Sequence, residues 1–152
     1  MPTSVPASPG RSETLWATVT MSHQQLLGLA ETAGAVTLVP AAGAGTILEF
    51  VDVMCVFRCV AAYTNGGDMN IYYGTDTSYP LGANIRDDVL QASVSTVAFS
   101  SLRQSSVLDL PASVSVNQPL VLWNASGTAF SAGSPQNRVM LYTSYRVWPS
   151  GL

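Results

Sequence analysis

The sequence predicts an all-β domain: an antiparallel two-sheet β-sandwich of the jelly-roll kind, with one short helix near residues 22–28. Three observations carry this expectation. About eight β-branched, apolar runs are separated by turn residues. No long stretches of helical periodicity alternate with them, which argues against a parallel α/β sheet. Two of the runs, 46–63 and 137–148, are apolar over much of both faces, and two sheets packed face to face would bury them. An immunoglobulin-like sandwich fits less well, because that domain sets a buried Trp between widely spaced cysteines, and Cys55 and Cys59 here are close together.

Residues 1–14 read as an extended N-terminal arm, and 15–152 as a single sandwich domain. Pro2, Pro6 and Pro9, interleaved with Ser4, Ser8, Gly10 and Ser12, prevent a regular element in the arm. Such a segment is either a loose terminus or a strap lying on a neighbouring subunit. Leu15–Thr20 alternates and forms a first strand. Ser22 caps a short helix through Gln24, Gln25, Leu26 and Leu27 that ends near Gly28, with His23 as a polar surface residue in its first turn. Residues 34–39 form a short strand. The turn after it, Gly43-Ala44-Gly45, lacks the third glycine of a dinucleotide fingerprint, and a β-branched run follows in place of a helix.

The run 46–63 is the spine of the domain. Strict alternation puts Ile47, Val51, Val53, Cys55, Phe57 and Cys59 on one face. Leu48, Phe50, Met54, Val56 and Val60 then share the other with Asp52 and Arg58. A run this long bends or divides. Asp52 and Arg58 either pair with neighbouring strands, meet a partner across an interface, or form a solvated patch. On one strand Cys55 and Cys59 would sit roughly 13 Å apart, beyond the reach of about 7 Å that a disulfide spans. They read as two buried thiols, with contact across a two-fold axis or a metal as the other possibilities.

Asn65-Gly66 is the strongest hairpin signal in the chain, and Met69–Tyr73 is the expected return strand. Residues 74–84 read as a loop. Residues 85–91 read as one helical turn around Arg86, Asp87 and Asp88, whose carboxylates lack the spacing of a calcium loop. Further strands fall at 93–100, with Val94, Val97 and Phe99, at 107–110, and at 120–123. Residues 124–136 read as a long polar loop. The last strand places Val139, Leu141, Thr143, Tyr145 and Val147 on one face. Arg138, Met140, Tyr142, Arg146 and Trp148 occupy the other, the composition of interface anchors.

Composition narrows the function. The 152 residues are 47% hydrophobic and only 10% charged, with a net charge of −3, where ordinary soluble domains are about 25% charged. A surface this poor in charge is one that other protein covers. There is no Lys, hence no P-loop, no Schiff-base chemistry and no Ser-Lys dyad. A single His excludes zinc sites built on several imidazoles. Six scattered Arg on an acidic chain make a poor polyanion binder. The opening residues show neither the basic nor the apolar region of a signal peptide, and Asp52 and Arg58 break the longest apolar run, so no membrane span is expected. The chain reads as no enzyme, with no cofactor, no metal, no nucleic acid and no membrane among its partners.

Several segments carry a resemblance: Leu26-Leu27-x-Leu29, Val36-Thr37-Leu38-Val39-Pro40-Ala41-Ala42-Gly43-Ala44-Gly45, Asn117-Gln118-Pro119-Leu120-Val121-Leu122, Gly133-Ser134-Pro135-x-Asn137-Arg138-Val139 and Tyr145-Arg146-Val147. Over roughly residues 18–148 the chain resembles the jelly-roll capsid decoration (cement) proteins of tailed bacteriophages and their uncharacterised virion relatives. Thr46 stands where those proteins usually carry a basic residue after the Gly-Ala-Gly turn. The resemblance implies a structural virion protein, made in the host cytoplasm, that binds the outer surface of the head and stabilises contacts between major capsid subunits. Its implied partners are the major capsid protein and itself, as a dimer or trimer. The residues expected at those contacts are Pro2, Val5, Pro6 and Arg11 of the arm, with Tyr142, Arg146 and Trp148 of the last strand. The competing reading is a tail, baseplate or receptor-binding sandwich, for which an exposed aromatic cleft built from Trp123, Tyr72 and Tyr73 would be the mark. A small-virus coat protein is disfavoured by the lack of a basic arm.

Overall fold

A computed structural model describes residues 13–74, 76, 80–101 and 112–151. Ten strands are present among them: β1 (Leu15–Met21), β2 (Val36–Val39), β3 (Thr46–Arg58), β4 (Tyr63–Asn65), β5 (Met69–Tyr73), β6 (Pro80–Ile85), β7 (Thr96–Ser101), β8 (Leu120–Trp123), β9 (Phe130–Ala132) and β10 (Arg138–Pro149). Eight of them form two four-stranded sheets, ordered β1-β10-β3-β7 and β2-β8-β5-β6. All pairings are antiparallel. The chain winds from sheet to sheet so that the first and last strands end up side by side, which is jelly-roll topology. The arm residues 1–12 and the strand expected at 107–110 lie outside the described residues.

The core lies between the sheets. From the first sheet come Met21, Leu48, Phe50, Val53, Cys55, Phe57, Val139 and Leu141. From the second come Val36, Leu38, Met69, Ile71, Tyr73, Leu81, Ala83, Ile85, Leu120 and Leu122. Each fully buried large aliphatic or aromatic side chain contributes about 1.5–3 kcal/mol. The short helix α1 (His23–Leu27) closes one end. Ser22 accepts from the Gln25 amide, the Gln25 side chain accepts from the Ser22 amide, and Leu26 turns into the core. That reciprocal cap is what Ser22 predicts.

Three expectations are corrected. First, strict alternation fails in β3. Ser144 pairs with Asp52 but Tyr145 pairs with Phe50, so Val51 is an extra residue, a β-bulge. The bulge switches parity: Leu48 and Phe50 face the core before it, and Val53, Cys55 and Phe57 after it. Ile47 and Val51 therefore do not share the core face with Val53. Second, Asn65 and Gly66 adopt the positive φ values of a tight turn, 56° and 96°, yet no hairpin forms. β4 pairs with β9, and β5 lies between β8 and β6. Tyr63 is the reason: it is 1% exposed and packs against Phe57, Phe130 and the His23 ring. A Cβ at Gly66 would come within 2.3 Å of the Phe130 ring, so the turn needs glycine for space as well as for φ. Third, two expected loops contain strands, β6 and β9. Pro80 is the first residue of β6, on the sheet edge, where a missing N–H costs nothing.

The expected helical turn appears as α2 (Asp88–Gln91), preceded by an exposed Arg86–Asp88 ion pair at 3.1 Å. Both cysteines are free. Cys55 is buried in the core, and Cys59 directs its sulfur at the Ala92 carbonyl. Two buried amides fasten the loops. Asn137 accepts from the Val60 and Ala61 amides and donates to the Ala61 carbonyl, and Asn124 donates to the Thr128 carbonyl while accepting from Ser126. Among the described residues no helix is long and apolar enough to cross a membrane.

Candidate protein interface on the outer face of the first sheet

Register builds the site. Residues that point away from the core line up across β1, β10, β3 and β7 in rows. Trp16, Ser144, Asp52 and Ser101 form one row, and Thr18, Tyr142, Met54 and Phe99 the next. Thr20, Met140, Val56 and Val97 follow, and Arg138 opposite Arg58 ends the series. Apart from Thr18 and Thr20 at the β1 edge and the Tyr142 hydroxyl, the middle rows are apolar, on the side of a sandwich that normally faces water. Phe99 is 78% exposed, Trp16 64% and Val97 53%. A cluster of this kind marks an interaction surface where a lone exposed apolar side chain would not.

A groove of about 300 Å³ crosses this face, with Trp16 and Phe99 as walls and Asp52 and Met54 among its lining. Asp52 is held in place: its Oδ1 accepts from the Ser144 hydroxyl at 2.6 Å. Ser144 is only 1% exposed although it points outward, so this pair is a fixed acceptor at one end of the face. At the other end Arg58 has no ion pair among the described residues. The Arg138 Nη1 donates only to the carbonyls of Pro135 and Asn137.

Tyr142, Arg146 and Trp148, singled out in the sequence, all lie on this outer face of β10, half-buried. Tyr142 stands in the row of Met54 and Phe99. Arg146 and Trp148 come together on Glu49 of β3. The Trp148 indole donates to Glu49 Oε2 at 2.6 Å, and the Arg146 Nη1 lies 3.3 Å from Oε1. Arg146 also donates to the Thr14 hydroxyl at 3.2 Å, where the chain enters β1. Pro2, Val5, Pro6 and Arg11 lie outside the described residues. Trp16, Met54, Val56, Val97 and Phe99 were missed as surface residues, because an apolar residue in a strand reads as core until register assigns its face. Trp123 and Tyr72 stack edge to face on the outer side of the second sheet, at 8% and 4% exposure, and Tyr73 faces the core. The three do not form an exposed aromatic cleft.

No family model matches the chain, and neither does any curated protein. Among solved structures it is similar to a chain of the capsid of Ralstonia phage GP4, at 11% identity and a TM-score of 0.40, over 93% of this chain and 88% of that one.

Proposed function

We propose that the protein is a structural component of a phage virion: a decoration, or cement, protein that binds the outside of the head and ties major capsid subunits together. The observation that supports this reading is the outer face of the first sheet, where exposed Trp16, Val97 and Phe99 form an apolar surface of the kind that protein covers in an assembly. The sequence resemblance supplies the capsid as the setting. The contacts to the head fall to the arm, with Pro2, Val5, Pro6 and Arg11, and to the end of β10, where Arg146 and Trp148 are held on Glu49. A single contact of ordinary size buries about 800 Å² per partner. Several such contacts made by one symmetric oligomer add through effective concentration, and rupture of the head then requires breaking all of them. The direct test mixes the purified protein with heads that lack it. Binding together with a raised rupture temperature supports the reading. No binding to heads, with co-purification on tails, overturns it in favour of a tail or baseplate component.

A further inference from the structure

We infer that the apolar face is covered by the same face of a second copy, turned about a two-fold axis that lies in the interface and runs across the strands. This rests on the reading of the face as a protein contact and names the partner. Charge is what selects it. The face has a cationic end, Arg58 opposite Arg138, and an anionic end at Asp52. The two ends lie six residues apart along β3, about 20 Å. An axis across the strands exchanges the ends, so that Arg58 of each copy lies over Asp52 of the partner subunit. An axis along the strands keeps each row over itself, so that arginine lies over arginine and Asp52 gains no cation.

The rows between the ends agree with that choice. The same axis sets Phe99 over Val97 of the partner subunit, Met54 over Val56 of the partner subunit and Tyr142 over Met140 of the partner subunit. Each contact then places one residue against a different one, the condition for two flat sheets to interdigitate. The groove between Trp16 and Phe99, with Asp52 in its lining, takes the incoming guanidinium. Asp52 pairs with its charge, and the flanking aromatic faces accept a planar cation. The two-fold closes on itself and leaves no copy of this face open. It also sends the two β1 entries at Leu15, and the Arg146–Glu49–Trp148 clusters beside them, to opposite ends of the dimer. A unit of that shape reaches two neighbours at once.

The experiment needs no heads, so its failure is distinct from failure to decorate. The full chain is sedimented at about 100 µM, where an interface of micromolar Kd is saturated. The expected mass is twice the 16.0 kDa of one chain. Phe99→Glu and Val97→Arg change exposed positions on the edge strand β7, so both variants are expected to fold. Each alone is expected to sediment as a monomer. Mixed in equal amounts they are expected to form a heterodimer, since Glu on one copy then faces Arg on the other while Val97 and Phe99 meet on the second side. Arg58→Glu is expected to weaken the wild-type dimer at least about tenfold. A monomeric wild type, a dimer indifferent to Phe99→Glu, or a mixture that stays monomeric overturns the proposal.

Discussion

Arg58 of β3 stands directly opposite Arg138 of β10, two cationic residues in register on one side of one sheet. Like charges at such a position destabilise a strand pair by roughly 0.2–1 kcal/mol, and the described part of the single chain offers neither a carboxylate. Replacing one of them with a β-former of no charge should therefore help the isolated fold. Arg58→Thr is expected to raise the unfolding free energy by about 0.5 kcal/mol in urea titrations of dilute protein. A loss of more than about 1 kcal/mol would show that Arg58 is already satisfied within its own chain.

The bulge at Val51 makes an unusual claim about deletions. Removing Val51 leaves Phe50 inward, Asp52 outward and Val53 inward, a regular strand with every face preserved. That deletion is expected to cost under about 2 kcal/mol, the loss of local twist and packing. Removing Met54 instead turns Cys55 and Phe57 to the outer face. The cost expected there is above about 4 kcal/mol, and the protein fails to fold. Thermal melts of the two variants decide it, and equal destabilisation would contradict the assigned bulge.

Asn137 is 0% exposed and serves three backbone groups of the 60–61 segment. Asn137→Ala leaves two amides and a carbonyl without partners in a buried place. The expected cost is about 2–4 kcal/mol in chemical denaturation. Asn137→Asp keeps the acceptor but turns the donor into a second acceptor facing the Ala61 carbonyl, and it should lose nearly as much at neutral pH. A variant within about 0.5 kcal/mol of wild type would mean that water replaces the side chain.

Alkaline pH should weaken the fold in two stages. Burial pushes the Cys55 thiol from an ordinary 9.0 up to about 12. Burial, with the Glu49 carboxylate adding to it, pushes the Tyr73 phenol from 10.0 up to about 12. Its hydroxyl donates to the Leu48 carbonyl in the core. Both groups stay protonated in the native state at a pH where the unfolded chain has released its protons. The unfolded chain then binds fewer protons, so stability falls as pH rises. The fall begins near pH 9 for Cys55 and near pH 10 for Tyr73, by about 1.4 kcal/mol per pH unit for each group. Urea titrations from pH 7 to 11 should show Cys55→Ala with a flatter profile than wild type between pH 9 and 10. Parallel profiles would contradict the burial of the thiol.

The fold was legible in the sequence because its main signals are local. Alternation marks β1 and β10, Ser22 and Gln25 mark the helix start, and the Asn65-Gly66 pair marks its turn. What local pattern could not carry was pairing. β4 and β9 are three residues each, too short for alternation to register, and they meet across a long stretch of chain. β6 was hidden by Pro80 and Gly82, which read as loop residues although Leu81, Ala83 and Ile85 alternate between and after them. The single residue Val51 switches the faces of β3, so alternation put Leu48 and Phe50 on the side opposite Val53, Cys55 and Phe57 although all five face the core. The site suffered most from this limit. Tyr142, Arg146 and Trp148 were visible because Arg beside aromatics is unusual in a core. Trp16, Val97 and Phe99 were not, since each lies on a strand that reads the same whether its apolar residues face in or out.

Under the proposed function, protein covers the outer face of the first sheet in the assembled particle. Hydroxyl-radical footprinting of Trp16 and Phe99, compared between intact virions and dilute isolated chain, measures that cover. Both side chains should oxidise readily in the dilute chain, where they are 64% and 78% exposed, and both should be strongly protected in virions. Equal oxidation in the two samples would mean that the face stays bare in the particle, which contradicts the proposed function.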